Sequence, residues 1–466
     1  LMTDAAQPGF LPDFNSVIVD EAHNLVKSAY QQFKTKWSEQ DTSYLLQTVD
    51  PSFPRSARWN NILHKISELE PSIGHLRDDL KESVKQAQKC LKDFMLALSE
   101  DNHNRFTPAK AYQDKPILGL LEKVYAAVTF EIHGMNKSLE HVLSILEKIR
   151  KSVLEMDPSR TDYSVLHSVL DRGLETTSSL MNSLTRLTEN QDNEWVYWME
   201  GEYRSPNTSK EKLIISLHAS LVDVAETLKG QFFKRFDYCL LTSATLKVNN
   251  SFSYFVRRIG LDDSDNVRTK ELLSPFLYNE QVTYHQYGGA REISTDPTMI
   301  GELVYHLHKT LGKRTMVLFT SRKALTDTAN YLKEKPGGRD LPLFAQTRGA
   351  SRPGIIKGMH QHPNGILFGT NSFWEGVDLP GDLLEILILV KLPFDVPSEP
   401  LVKSYSEFVS RMGGNSFMEY TVPECAIRFR QGFGRLIRTT YDAGKFICLD
   451  NRIVTKRYGQ VFSRSL

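Results

Sequence analysis

Apolar residues recur along this chain in different rhythms, and the rhythm changes at definable places. Phe14 to Val19 is a short β-rich run that ends on Asp20-Glu21. From about residue 30 to 190 the spacing becomes helical, as in Leu139, Val142, Leu143, Leu146, Ile149 and Val153. Similar stretches run from Arg58 to Leu98, Ile117 to Ile132 and Val165 to Leu187, punctuated by Pro71, Pro116, Gly134 and Pro158. Around Glu194 to Glu200 the period drops to two, with Trp195 and Tyr197 alternating against Val196 and Trp198. Leu213-Ile214-Ile215 and Tyr238-Cys239-Leu240-Leu241 follow as strands, with a helical stretch from Leu221 to Phe236 between them.

After Asn250 strands and helices alternate to the end. The expected strands are Val282–Tyr284, Met316–Phe319, Ile366–Phe368, Ile386–Val390 and Phe446–Leu449. Most are apolar enough to be buried on both faces, which predicts a parallel α/β sheet. Four segments result. Residues 1–29 begin a sheet, 30–190 form an all-helical insertion, 191–250 return to that first sheet, and 251–466 form a second α/β domain.

Composition changes this picture little. The chain has 466 residues, 40% hydrophobic and 24% charged, and a net charge of +1. That is an ordinary globular composition without a global basic field, so nucleic-acid contact would rest on local patches. Lys81, Lys85, Lys89 and Lys92 share one helical face, but Asp78, Asp79, Glu82 and Asp93 lie beside them, and a solvated face is the better reading. Cys90, Cys239, Cys425 and Cys448 have no CxxC spacing, which argues against a metal or cluster site here and suits a reducing compartment. No run reaches the ~18–20 apolar residues of a membrane span. The opening Leu1-Met2-Thr3-Asp4, so close to an acidic strand end, suggests a chain cut from something longer.

The chemistry lies at strand ends. An Asp at the carboxyl end of a parallel strand can hold Mg²⁺, and an adjacent Glu can orient and deprotonate water, which casts Asp20 and Glu21. The plain alternative is an acidic pair favouring a helix N-terminus. Thr242-Ser243-Ala244-Thr245 offers small hydroxyls that can couple a nucleotide site to a neighbouring domain. Thr320-Ser321-Arg322 and Gly369-Thr370-Asn371 fall past strand ends, where hydroxyls and N–H groups meet phosphates. Phe373-Trp374 is either a base-stacking pair or aromatic core. Gln431, Arg435 and Arg438 are read on one helical face, a fork suited to the spread charge of a transferring γ-phosphoryl group. No GxxxxGK[ST] phosphate loop occurs, and Gly312-Lys313-Arg314-Thr315 precedes a strand instead of following one.

In order, these motifs resemble the superfamily 2 helicases of the XPD type, and most closely the bacterial DinG family. The likeness is strongest over the last 150 or so residues. There Asn371 through Asp378, Lys391-Leu392-Pro393-Phe394, Gly413-Gly414-Asn415 with Phe417-Met418-Glu419-Tyr420, Gln431 through Arg438 and Lys456-Arg457-Tyr458-Gly459 all look like that family. The resemblance implies two RecA-like motor domains, the first truncated, with a helical Arch inserted into it at about 30–190. It implies ATP and Mg²⁺ as cofactors, with Asp20 on the metal, Glu21 on the water, and His23, Glu375, Gly376 and Asp378 lining the nucleotide cleft. Gln431, Arg435 and Arg438 would reach the nucleotide. Thr320, Ser321, Thr370, Asn371 and Trp374 would face single-stranded DNA. It further implies 5′ to 3′ movement, DNA-repair or replication partners, and a cytoplasmic setting at the bacterial nucleoid. The phosphate loop, and any iron–sulfur cluster or exonuclease domain, would lie upstream in such proteins, so the chain carries half an ATP site and is expected to be inactive alone. The alternative is a binding module that holds single-stranded DNA or a protein without hydrolysis.

Overall fold

The computed structural model describes residues 14–52, 57–102, 122–155, 164–189, 194–204, 212–347, 349–374, 379 and 381–465. The chain divides into two compact units. One holds residues up to Ser28, Val224–Val396 and Ser406 onward; the other holds Ala29–Asp223 and Pro397–Tyr405.

The second unit is built on helices α1 (Leu25–Phe33, whose first residues belong to the other unit), α2 (Glu39–Val49), α3 (Ala57–Leu69), α4 (Pro71–Asn102), α5 (Glu122–Glu155) and α6 (Ser164–Glu189). Pro71 opens α4, where a missing N–H costs nothing. On α4 the buried residues Leu80, Val84, Ala87, Leu91, Phe94 and Leu98 step by four and three. On α5 Ile132, Met135, Leu139, Val142, Leu146, Ile149 and Val153 do the same. These two stripes meet in one core with residues of α2, α3 and α6. The lysine row of α4 is exposed, and Lys85 lies 3.8 Å from Glu82.

The unit is not all-helical. Strands β2 (Thr35–Ser38), β3 (Trp195–Arg204) and β4 (Lys212–Leu221) form an antiparallel sheet in the order β2-β4-β3. Tyr197, Met199, Ile215, Leu217, Ala219 and Trp37 of this sheet join the helical core. The expectation that 191–250 resumes the first sheet is thereby corrected for its first two strands, while Tyr238–Leu241 does pair with Ser16–Val19. β4 pairs with β3 on one side and with β2 on the other, and the return to the other unit comes at Val224. Val196, Tyr197, Trp198 and Met199 of β3 are all buried, so burial on both faces did not distinguish this antiparallel strand from a parallel one.

In the first unit β1 (Ser16–Val19) pairs parallel with β5 (Tyr238–Leu241) across some 220 residues of sequence. The larger sheet is parallel, in the order β6 (Val282–Gln286), β11 (Gly444–Cys448), β10 (Ile386–Leu389), β7 (Thr315–Leu318), β9 (Ile366–Gly369), β8 (Leu343–Ala345). Every expected strand of this domain is present, and the short edge strand β8 is additional. The central strands are buried throughout, and their alternate residues feed two cores. Met316, Leu318, Leu367, Leu387, Leu389 and Phe446 pack with α9 (Arg352–Gln361) and α11 (Val422–Phe433), α10 (Pro400–Arg411) preceding the latter. Val317, Phe319, Ile366, Phe368, Ile386 and Ile388 pack with α7 (Pro297–Leu311) and α8 (Arg322–Glu334).

The Gly312-Lys313-Arg314-Thr315 run now has a structural account. Gly312 ends α7 in the left-handed region at φ 59°, where glycine is favoured. Arg314 is buried and donates to the carbonyls of Met359, His360 and His362 near the end of α9 and to that of Asp382. It clamps the end of that helix.

Candidate active site

Asp20 and Glu21 stand at the carboxyl end of β1, both exposed. The Glu21 N–H donates to Asp20 Oδ1 at 2.9 Å. Glu21 is in the left-handed region at φ 50° and ψ 43°, unusual for a residue with a side chain. That turn is held from β5: Thr242 N donates to Val19 O at 2.9 Å, and Ala22 N donates to Thr242 O at 3.0 Å.

The same loop supplies Ser243, whose hydroxyl donates to Glu21 Oε2 at 3.1 Å. His23 Nδ1 lies 2.7 Å from Ser243 Oγ and 3.2 Å from Glu21 Oε2, and Thr245 N donates to Ser243 Oγ at 3.2 Å. A hydroxyl has one proton and two acceptor positions. Ser243 Oγ sits among Glu21, His23 and Thr245, with its one proton shared between the Glu21 and His23 sides. The Thr242–Thr245 turn thus meets the acidic strand end side chain to side chain. Magnesium takes one or two carboxylates and completes its shell with water and phosphate. Asp20 fits that demand, since only Oδ1 is engaged by the neighbouring N–H; among the described residues no three His, Cys, Asp or Glu side chains cluster as a fuller metal site.

The carboxyl edge of the larger sheet carries the second group. Thr320 and Ser321 follow β7 and are exposed; Ser321 caps α8 by accepting from Ala324 N at 3.4 Å. Thr370 follows β9 but is only 7% exposed, and its N–H and its hydroxyl both donate to Gln346 Oε1 at 2.9 Å. Its hydroxyl proton is therefore directed at Gln346 and away from a phosphate, contrary to expectation. Asn371 opens a single helical turn that ends at Trp374. Trp374 is 4% exposed, and a Cβ on Gly432 of α11 would lie 2.8 Å from its ring. The ring packs on that glycine as core and does not serve as a base platform. Glu375, Gly376 and Asp378 lie outside the described residues.

The arginines are not on one helical face. α11 ends at Phe433, with Gln431 in its last turn; Gly434 caps it and Arg435 and Arg438 follow in the turn and loop beyond. Glycines at 432 and 434, poor helix formers, account for the early stop. Arg435 is held instead by its own Nε, which donates to Trp374 O at 3.0 Å. Arg438 is held through its backbone: Arg438 N and Thr439 N donate to Asp442 Oδ2 at 2.7 and 2.9 Å, and Thr439 Oγ1 donates to Oδ1 at 2.5 Å. Burial pushes the Asp442 carboxyl up, but the Thr439 hydroxyl and these N–H groups outweigh it and hold it below the usual range. Gln281 Nε2 donates to the carbonyls of Thr439, Thr440 and Asp442 and closes the loop.

Sequence reasoning missed Gln346, Asp442 and Gln281. Each is far in sequence from what it holds, apart from Asp442, whose four-residue offset from Arg438 is the one local signal.

Comparison with known proteins adds to this geometry. Residues 304–466 match the family described as Helicase C-terminal domain. The chain is 30% identical over 478 residues to a Bacillus subtilis protein named 3'-5' exonuclease DinG, covering 98% of this chain and 49% of that protein. It is 29% identical over 460 residues to the ATP-dependent DNA helicase YoaA of Haemophilus influenzae, covering 98% of this chain and 62% of that protein. Among solved structures, S. tokodaii Xpd4 matches with a TM-score of 0.52 at 15% identity, over 96% of this chain and 73% of that one, a likeness of fold. The chain spans about half the length of the first relative.

Proposed function

We propose that this chain, similar to proteins named ATP-dependent DNA helicase YoaA and DinG, is part of an ATP-driven motor that moves 5′ to 3′ along single-stranded DNA. Residues 14–28 and 224–250 would belong to a first RecA-like motor domain, 29–223 to its Arch-like insertion, and 251–466 to the second motor domain. The observation that carries the reading is the Glu21 carboxylate. It is turned out of a parallel strand end and held by Ser243 and His23.

In this reading Glu21 Oε2, oriented by the Ser243 hydroxyl, accepts the proton of a water as its oxygen attacks the γ-phosphorus. The bond between that phosphorus and the β,γ-bridging oxygen breaks, giving ADP and phosphate. Asp20 would hold a magnesium ion, which when bound neutralises phosphate charge. Arg435, with its guanidinium plane set by the Trp374 carbonyl, and Arg438, on the Asp442 loop, would meet the charge that develops on the transferring group. Gln431 would join them from the end of α11. Thr320, Ser321 and Asn371 would lie along the DNA.

The phosphate-cradling loop is not among these 466 residues, so we place it in a longer form of the protein. In that form Arg435→Ala should lower DNA-stimulated ATP hydrolysis by about 10³-fold while binding of single-stranded DNA persists. Unchanged hydrolysis would remove Arg435 from the mechanism.

A further inference from the structure

We propose that Gln346 is a positioning residue of the DNA-facing edge, acting through Thr370; the inference rests on the motor reading above. Both groups that approach Gln346 Oε1 from Thr370 are donors, the backbone N–H and the hydroxyl, each at 2.9 Å. The atom facing them must therefore be the amide oxygen, which fixes the orientation of the side chain. Gln346 is itself tied to β9, its N–H donating to Phe368 O at 2.9 Å. The loops after β8 and β9 are thus fastened to each other by one side chain.

What Gln346 fastens is the start of a short, highly constrained segment. Phe373 N donates to Thr370 O at 2.8 Å and closes the turn. Gly369 makes the closure possible, since a Cβ there would lie 2.7 Å from that of Phe373. At its far end the turn is held by Arg435, through Trp374 O, and by Gly432, through the Trp374 ring. One turn of helix is therefore pinned by Gln346 at the end facing the DNA-side loops and by Arg435 at the end facing the proposed nucleotide site.

A Thr370 hydroxyl that donates to Gln346 has no proton left for a phosphate, which offers only acceptors. Thr370 is then a fixed point, and the turn that it starts presents its groups to DNA only while Gln346 holds it. Removing the Gln346 oxygen frees the turn without removing a phosphate contact. A direct contact would behave differently, because each lost phosphate contact on a single strand lowers the slope of log K against log salt by about 0.7.

The test uses the intact protein, with Gln346→Met, Thr370→Val, Thr370→Ser and the Gln346→Met/Thr370→Val double variant. Binding to a fluorescent oligo-dT is measured by anisotropy over a salt series, and ATP hydrolysis is measured against DNA concentration. The expected result is DNA affinity weakened about tenfold by Gln346→Met and by Thr370→Val, an unchanged salt slope, and near-wild-type behaviour of Thr370→Ser. The double variant should be no worse than Gln346→Met, as for two ends of one interaction. A lowered slope, multiplicative losses, or an unaffected Gln346→Met would overturn the proposal. Wild-type protein that binds DNA but shows no DNA-stimulated hydrolysis would instead count against the motor reading, with the affinity series still deciding the role of Gln346.

Discussion

Glu21 holds a backbone conformation that costs a residue with a Cβ about 1 kcal/mol or more, and the hydrogen bonds from Thr242 and Ser243 are what maintain it. Buried carboxylates elsewhere do comparable work. Asp450 is 1% exposed; it accepts from Leu392 N at 2.9 Å and from Arg452 Nη2 at 2.6 Å. Burial pushes its carboxyl up, yet Arg452 and the backbone N–H groups outweigh that and leave it below the usual range. Asp442 is depressed in the same way. Both therefore contribute stability that is complete above the unfolded value of about 3.9 and is lost as pH falls through their lower folded values. Asp450→Asn should lower stability by about 1–3 kcal/mol at pH 7, with the gap to wild type closing as pH falls through the lowered folded value of Asp450. Thermal melts over that fall in pH check this, and a gap that stays constant would contradict it. At this scale the sequence showed the residues that sit in contiguous motifs, Asp20 to His23 and Gln431 to Arg438. It did not show that Ser243 meets Glu21 or that Gln346 meets Thr370, because these pairs become neighbours only once parallel strands are laid side by side.

Helical periodicity made the long α4 and α5 stripes legible, since three- and four-residue steps continue over many turns. Leu139→Ala, in the middle of the α5 stripe, should destabilise the helical unit by about 2–5 kcal/mol, read as a shift in its melting. A cost near zero would mean that the two stripes do not pack as described. Periodicity failed where an element stops. It carried α11 through Arg438, whereas the helix ends at Phe433, and it could not tell which sheet β3 and β4 join. The end of α11 matters because Gly432 is the seat of Trp374. Gly432→Ala would press a methyl against that ring, cost about 1–3 kcal/mol, and shift the carbonyl that holds Arg435. The expected outcome is a fall in DNA-stimulated ATP hydrolysis larger than the fall in DNA affinity, measured on the same preparation. Equal losses in the two would argue against a link through Trp374.

At the scale of the whole molecule, the six-stranded sheet is covered on both faces, whereas among the described residues the β1–β5 pair is not. Ile18, Tyr238 and Leu240 are 70%, 76% and 59% exposed on those two strands. With a net charge of +1, the proposed DNA contact would rest on local edges such as the loops after β7, β8 and β9. Among the described residues no helix is long and apolar enough to cross a membrane. The chain spans 49% and 62% of two relatives, and in the proposed reading it would supply the water-activating and arginine sides of an ATP site. The most direct test is ATP hydrolysis with and without single-stranded DNA, by this 466-residue chain and by the longer protein, each beside Glu21→Gln. DNA-stimulated hydrolysis in the longer wild type alone, reduced by about 10²-fold or more in Glu21→Gln, is the predicted result. Hydrolysis by the short chain that Glu21→Gln removes, or a longer protein that binds DNA and never hydrolyses ATP, would contradict the account.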